Sequence, residues 1–191
     1  MINLISNWDW KILYVFYNPL AGNPTWYPVL HWLAVLLIYL FPLFLLYLWF
    51  FKKEKVLALR AFLAGIVGWL VFCKVIQFFF FRARPFATSN SVKELVFHRP
   101  DTSFPSDHAA FTLAIALVIL WSNNKKWGWI LIALSIIISL ARIAAGIHFP
   151  SDILVGWFLG LASALIFHYL AKFWDKNIIG PIVKVAERLR L

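Results

Sequence analysis

Long apolar runs, punctuated by short polar and basic clusters, dominate this chain. They lie at about 27–51, 57–81, 104–122, 127–147 and 151–174, each long enough to cross a hydrocarbon core as a helix. Helices are the element such runs predict, because a backbone in lipid must satisfy its own hydrogen bonds. The runs are also too long and too uniformly apolar for the alternating strands of a barrel. Ahead of the first run, Trp8, Asp9, Trp10, Lys11, Tyr14 and Tyr17 are interleaved with apolar residues before Asn18-Pro19. That mixture predicts a short amino-terminal helix lying in the membrane interface. After the last run, Ile182, Val183, Val185, Ala186 and Leu189 alternate with Lys184, Glu187, Arg188 and Arg190, the pattern of a basic amphipathic helix on an anionic membrane surface. The expected fold is therefore all-α: a polytopic membrane helix bundle of about five spans with an interfacial helix at each end.

Composition supports this picture. Hydrophobic residues make up 63% of the 191 and charged residues 14%, which places the chain among integral membrane proteins. No linker divides it, so residues 1–191 are expected to form a single domain. The first residues lack a positive stretch followed by an apolar core and a small-residue cleavage site, so no cleavable signal is expected. The net charge of +10 would suit nucleic acid, but the excess flanks the apolar runs and is better explained by topology. No nucleic-acid partner is expected. Lone Cys73 lies within an apolar run and reads as a small buried hydrophobe.

Lys52, Lys53 and Lys55 follow the first run, Lys125 and Lys126 the third, and Lys172, Lys176, Lys184, Arg188 and Arg190 the fifth. The positive-inside bias puts these ends in the cytoplasm and the segments around Arg84, His108 and His148 on the outer face. Arg82, Arg84, Lys93 and Arg99 run against the bias, as basic residues retained for chemistry would.

The polar residues beside the apolar runs form a pattern. His148 precedes Phe149-Pro150-Ser151-Asp152, and Pro150 suits the first turn of a helix, with Asp152 in that turn. Asp152, four residues on from His148, is placed to orient an imidazole and stabilise its positive charge, although Pro-Ser-Asp is also good capping sequence. Arg142, near the end of the fourth run, needs an anion if it is buried, or else snorkels to the interface. At Thr102-Ser103-Phe104-Pro105-Ser106-Asp107-His108 a second helix start offers free amides to a phosphate. Ser106 could add a hydroxyl there, and His108 could protonate a leaving oxygen.

Taken together, Arg84-Pro85, Pro105-Ser106-Asp107-His108, and Arg142 followed by His148 and Asp152 resemble the three-part signature of the type 2 phosphatidic acid phosphatase superfamily. The resemblance implies that His148 forms a phosphohistidine, that Asp152 orients it and that His108 is the general acid. It further implies that Arg84, Arg142 and Ser106 bind phosphate, with no metal or other cofactor. Within the superfamily, the run from Pro100 to His108, the Arg84-Pro85-Phe86 triplet and the basic tail resemble the bacitracin-resistance type of undecaprenyl-diphosphatase, in which Asp107 is a subgroup trait. That implies a polyprenyl diphosphate lipid as substrate, membrane lipids as surroundings and a bacterial cytoplasmic membrane, multi-pass, with the active site outward.

Two positions depart from the signature. Gln77 stands where the family has lysine, with Lys74 one turn earlier, and Ala141 stands where a serine usually precedes the arginine. A continuous helix would set Gln77 on nearly the same face as Arg84. Gln77, Asp107 and Arg82, the last as the more accessible substitute cation, complete the candidate substrate-binding set. His31 and His168 read as structural or interfacial. His98 and Arg99 read by default as a solvated loop, although they directly precede the phosphate loop. Phosphatidic acid or phosphatidylglycerol phosphate are alternative substrates, and a lipid or anion transporter is the competing class. The sequence does not set the oligomeric state.

Overall fold

The computed structural model describes residues 7–189. The opening residues and Arg190 of the basic tail lie outside the described residues. Helix α1 spans Asn7–Ala21. A helical run α2 occupies Pro24–Phe50 and α3 occupies Lys55–Phe79. A one-turn helix α4 (Pro85–Thr88) is followed by α5 (Asp107–Leu120), α6 (Lys125–Ala144) and α7 (Pro150–Tyr169). The chain ends in α8, which runs through Ala171–Trp174, Asp175–Ile179 and Gly180–Arg188. Among the described residues every regular element is helical.

Four helices, α2, α3, α6 and α7, are long and apolar enough to cross a membrane. The third expected span is shorter than the apolar run suggested. Helix α5 has 14 residues, about 21 Å at 1.5 Å per residue, less than the roughly 30 Å of a hydrocarbon core. Its first turn begins at Asp107 because Ser106, the N-cap, is extended behind Pro105, leaving 104–106 free to shape the site. Short as it is, α5 is the hub of the bundle, packed against α3, α6 and α7. Phe111, Ile115 and Ile119 of α5 share the main core with Phe41 of α2, Ala61 and Ala64 of α3, Ile138 of α6 and Phe167 of α7.

Small and hydroxyl residues let these helices approach closely. A Cβ on Gly160 would stand 2.6 Å from the Ala110 carbonyl oxygen, and one on Gly156 would stand 2.6 Å from that of Ser106. Both glycines lie on α7 where it crosses α5, so the backbones meet without side chains between them. The hydroxyls of Thr112 and Ser135 pair at 2.7 Å across α5 and α6, and Ser163 donates to the Ala64 carbonyl at 2.6 Å.

The lysine-rich ends gather at one end of the bundle. Asn124 donates to Glu54 at 2.6 Å, joining the α2–α3 turn to the α5–α6 turn, and Arg60 of α3 pairs with Asp175 of α8. The opposite end carries the motif residues. There α1 packs one face on the bundle: Leu13 and Tyr17 are buried with Leu30, Val92, Ile147 and Phe149, and Asp9 is 1% exposed, while Trp8, Ile12 and Val15 on its other side are exposed. The helix is docked across the motif end of the bundle.

Candidate active site

Three helix ends and one irregular loop converge on a polar pocket of about 60 Å³, lined by Gln77, Arg84, His98, Asp101, Thr102, Pro105, Asp107, His108, Arg142 and His148. Pro150 starts α7, and Asp152 at its third position accepts the Phe149 amide at 2.7 Å. This closes the turn and leaves His148 just outside the helix, buried at the pocket wall. The Ser106 amide donates to the Asp152 carbonyl oxygen at 3.0 Å, locking the start of α5 to the start of α7. The expected juxtaposition of His108 and His148 in one pocket thus follows from two helix starts held together.

His148 Nε2 stands 3.2 Å from Arg84 NH1 and 3.2 Å from Arg142 NH2. A guanidinium can only donate, so Nε2 is the acceptor and carries the lone pair, while the ring proton sits on Nδ1. Nδ1 faces Asp152 Oδ2 at 3.4 Å, longer than a good hydrogen bond but close enough for charge pairing. Burial, and after it the charges of Arg84 and Arg142, hold the His148 imidazole well below its usual pKa. The ring is neutral and its free lone pair points between two cations, the arrangement a nucleophile for an anionic phosphorus centre requires.

Both arginines are fixed from behind. Arg84 donates to Asp101 at 2.9 and 2.7 Å, to the Ile147 carbonyl at 2.7 Å and to the Thr102 carbonyl at 3.1 Å. Arg142 donates from NH1 to the Ala34 carbonyl at 2.9 Å, within a stretch of α2 whose winding departs from α-helical at Trp32–Leu36. Such bulges often accompany functional sites. The buried Arg142 Nε and the buried Ser106 hydroxyl at the α5 N-cap have no hydrogen-bond partner among the described residues, two donors of the kind a bound oxyanion satisfies.

Gln77 reaches the pocket wall by a different route from a continuous helix. Helix α3 stops at Phe79, before Arg84, and the chain then runs extended from Phe80. Gln77 donates to Asp107 at 2.8 Å and to the Pro105 carbonyl at 3.1 Å. Lys74 donates to Asp107 at 2.8 Å and to Gln77 at 2.7 Å. Asp107 is therefore held by Lys74 and Gln77 as an acidic residue of the pocket lining, and its acceptor-only carboxylate has no donor to offer a phosphate.

Arg82 corrects the expectation of an accessible phosphate-binding cation. It is 4% exposed, absent from the pocket lining, and bound to Asp152 at 2.6 Å and Asp9 at 2.7 Å. Buried as it is, the guanidinium needs these carboxylates, since an unpaired buried charge is strongly destabilising. His98 corrects the opposite way. It lines the pocket, with Nε2 3.2 Å from Arg142 NH2 and Nδ1 3.1 Å from the Arg99 carbonyl. Burial and the Arg84 charge lower its pKa. Arg99 itself is exposed. Asp101, Ser103 and Asp9 went unread in the sequence: Asp101 holds Arg84, while Ser103 donates to Asp152 at 2.9 Å. Of these, Asp9 alone left a signal, as a carboxylate in an amphipathic helix otherwise rich in aromatic residues.

Beside the polar pocket lies an apolar cavity of about 430 Å³, lined by Val35, Ile38, Tyr39, Pro42, Trp69, Asp107, His108 and Phe111. Asp107 and His108 belong to both. A ligand with an anionic head and an apolar body could occupy the two together, with His108 at the junction.

The chain is similar to known proteins. Over 151 residues the chain is 34% identical to an undecaprenyl-diphosphatase BcrC of Bacillus subtilis, covering 78% of this chain and 74% of that one. It is 32% identical over 166 residues to a protein of Bacillus licheniformis named bacitracin transport permease protein BcrC, covering 85% and 81%. The crystal structure of Aquifex aeolicus LpxE superposes with a TM-score of 0.73 at 28% identity, over 87% of this chain and 98% of that one. Residues 56–176, which hold His98, His108 and His148, the two pocket arginines and Asp152, match the PAP2 superfamily. By that match, and by the helical fold it shares with a solved structure, the chain belongs to the PAP2 superfamily of phosphatases and is a lipid phosphatase.

Proposed function

We propose that the protein hydrolyses undecaprenyl diphosphate to undecaprenyl phosphate and inorganic phosphate through a phosphohistidine on His148. The observation that carries this is the placement of His148 Nε2 at 3.2 Å from both Arg84 and Arg142, with Asp152 behind Nδ1. The terminal phosphate would sit between the two guanidiniums, whose fixed charges stabilise the equatorial oxygens in the transition state. The His148 Nε2 lone pair forms the P–N bond as the bond from phosphorus to the bridging oxygen breaks. His108 donates its proton to that oxygen, and the lipid monophosphate departs into the neighbouring apolar cavity. The positive charge left on the ring faces the Asp152 carboxylate. A water then attacks phosphorus, giving its proton to His108, and the P–N electron pair returns to Nε2 as inorganic phosphate leaves.

Substrate class rests on the apolar cavity and on the relatives. A cavity of about 430 Å³ that shares His108 with the phosphate pocket suits the first isoprene units of a polyprenyl chain, the rest lying in lipid. The Bacillus subtilis relative is named for undecaprenyl diphosphate. In a bacterial cytoplasmic membrane the motif end would face outward, opposite the lysine-rich turns.

A substrate panel with purified protein in detergent tests the reading. Undecaprenyl diphosphate, farnesyl diphosphate, phosphatidic acid and phosphatidylglycerol phosphate are compared by kcat/KM, and the wild type is acid-quenched and alkali-quenched to trap the phosphoenzyme. Undecaprenyl diphosphate is expected to lead, with an acid-labile, alkali-stable phosphate on His148. A transporter would release no phosphate where there are no compartments. Preference for phosphatidic acid would reassign the substrate.

A further inference from the structure

Helix α1 lies outside the residues that match the PAP2 superfamily, 56–176, yet it inserts a carboxylate into the back of the active site. Asp9 is 1% exposed; its Oδ1 accepts the Ser151 amide at 2.9 Å, and its Oδ2 accepts the Ser151 hydroxyl at 2.8 Å and Arg82 NH2 at 2.7 Å. The other end of the same guanidinium, NH1, donates to Asp152 Oδ1 at 2.6 Å and to the Ser151 hydroxyl at 2.6 Å. The Arg82 plane lies over the Phe149 ring at 4.4 Å, and Trp10 of α1 meets that ring edge-on at 5.0 Å. The chain of contacts is thus Asp9, Arg82, Asp152, His148, and all four members are buried.

Charge gives this chain its consequence. Asp152 alone would face His148 with a full negative charge; paired only with Arg82, it would be neutralised, and a positive imidazole ring would lose its counterion. With Asp9 on the far side of Arg82, the three groups together again carry one negative charge. We infer that Asp9 is a positioning residue of the catalytic site, which keeps the Asp9–Arg82–Asp152 triad net anionic so that it can stabilise the positive His148 ring of the covalent intermediate. The inference rests on the proposed phosphohistidine reading. The other charged or titratable groups that share the pocket with His148 are Arg84 from the extended segment, His98 and Asp101 from the loop, Asp107 and His108 from α5 and Arg142 from α6. None of these touches Asp9.

Three variants isolate the effect: Asp9→Asn, Arg82→Gln and the double variant, each purified in detergent and accepted only with a monodisperse size-exclusion profile. Removing the Asp9 charge leaves the protonated ring less stabilised, so the acid limb of kcat/KM moves to lower pH. Removing the Arg82 charge moves it to higher pH, and the double variant lies between. The substrate's own ionisation is common to all. For Asp9→Asn, kcat falls about 10–100-fold, the scale seen when groups that orient a catalytic ligand are removed. KM holds, because Asp9 does not line the pocket. A purely structural Asp9 would instead move both single variants the same way, and that result, or an unchanged kcat in Asp9→Asn, overturns the inference. If Asp9→Asn alone does not survive purification, adding Asp9→Asn to Arg82→Gln must lower the limb relative to Arg82→Gln; no difference is equally fatal. Trapping separates the two levels of the argument. A wild type without His148 phosphoenzyme removes the proposed function and this inference with it, whereas a wild type that traps normally beside an unaffected Asp9→Asn removes the inference alone.

Discussion

Arg84 NH1 and His148 Nε2 stand 3.2 Å apart, and the same arginine donates to the carbonyl of Ile147, the residue just before His148. One guanidinium therefore sets the ring's position, its tautomer and its protonation state together, because a donor-only cation at Nε2 excludes a proton there. The residue that would bind the phosphate is also the one that keeps the nucleophile ready.

A pH profile reads this directly. Burial and the two arginines disfavour the protonated ring, so the His148 pKa lies well below its usual value, and the neutral nucleophile survives as pH falls. The acid limb of kcat/KM, which reports free-enzyme ionisation, is expected below about 6.5, the ordinary imidazole value. Arg84→Ala removes one flanking charge, so the limb moves to higher pH while kcat falls by about 10²–10³, the cost of losing one transition-state donor. A wild-type limb at the ordinary value would contradict the tautomer and charge argument.

The two histidines are expected to fail differently. His148→Ala loses both turnover and the trapped intermediate. His108→Ala slows formation of the intermediate, and slows it least with an activated ester such as p-nitrophenyl phosphate, whose leaving group needs no proton. Equal losses for His108→Ala on poor and good leaving groups would remove the general-acid role.

Helix contact should matter as much as the polar residues. In Gly160→Ala the new Cβ meets the Ala110 carbonyl oxygen at 2.6 Å and its Cα at 3.2 Å, and the obstacle is backbone. The expected cost is about 1–3 kcal/mol, as for overpacked cores, with lower kcat, since α5 and α7 carry His108 and Asp152. Gly22→Ala, with nothing within 4 Å of the added carbon, should leave thermal stability and activity unchanged. Thermal unfolding in detergent and a single-substrate assay check both.

Sidedness is tested by single cysteines at Asn90, Asn123 and Lys176 in a Cys73→Ala background, all three exposed positions in the structure. An impermeant thiol reagent on intact cells is expected to label only the first. Labelling of the second and third without the first would place the active site in the cytoplasm.

Much of this site is legible in one dimension because local rules govern it. Pro150 starts a helix, which puts Asp152 in its first turn and His148 just ahead of it, and hydropathy alone marks α2, α3, α6 and α7 as spans. Ser106 as an N-cap and His108 in the first turn of α5 follow from the same logic. The fates of Arg82 and His98 had no such rule behind them. From Phe80 to Arg84 the chain is extended and irregular, without a periodicity to project a side chain, so Arg82 was free to turn to whichever anion the fold supplied. That anion includes Asp9, 73 positions away. His98 sits in a loop whose path is set by Leu95 and Val96 packing into the core beneath α1, and only that packing carries it from solvent to Arg142. Capping, spacing and hydropathy are properties of neighbours in sequence, and the chain states them outright. Which distant charge compensates a buried one depends on what else is brought into the same low-dielectric space, and only the folded bundle decides that.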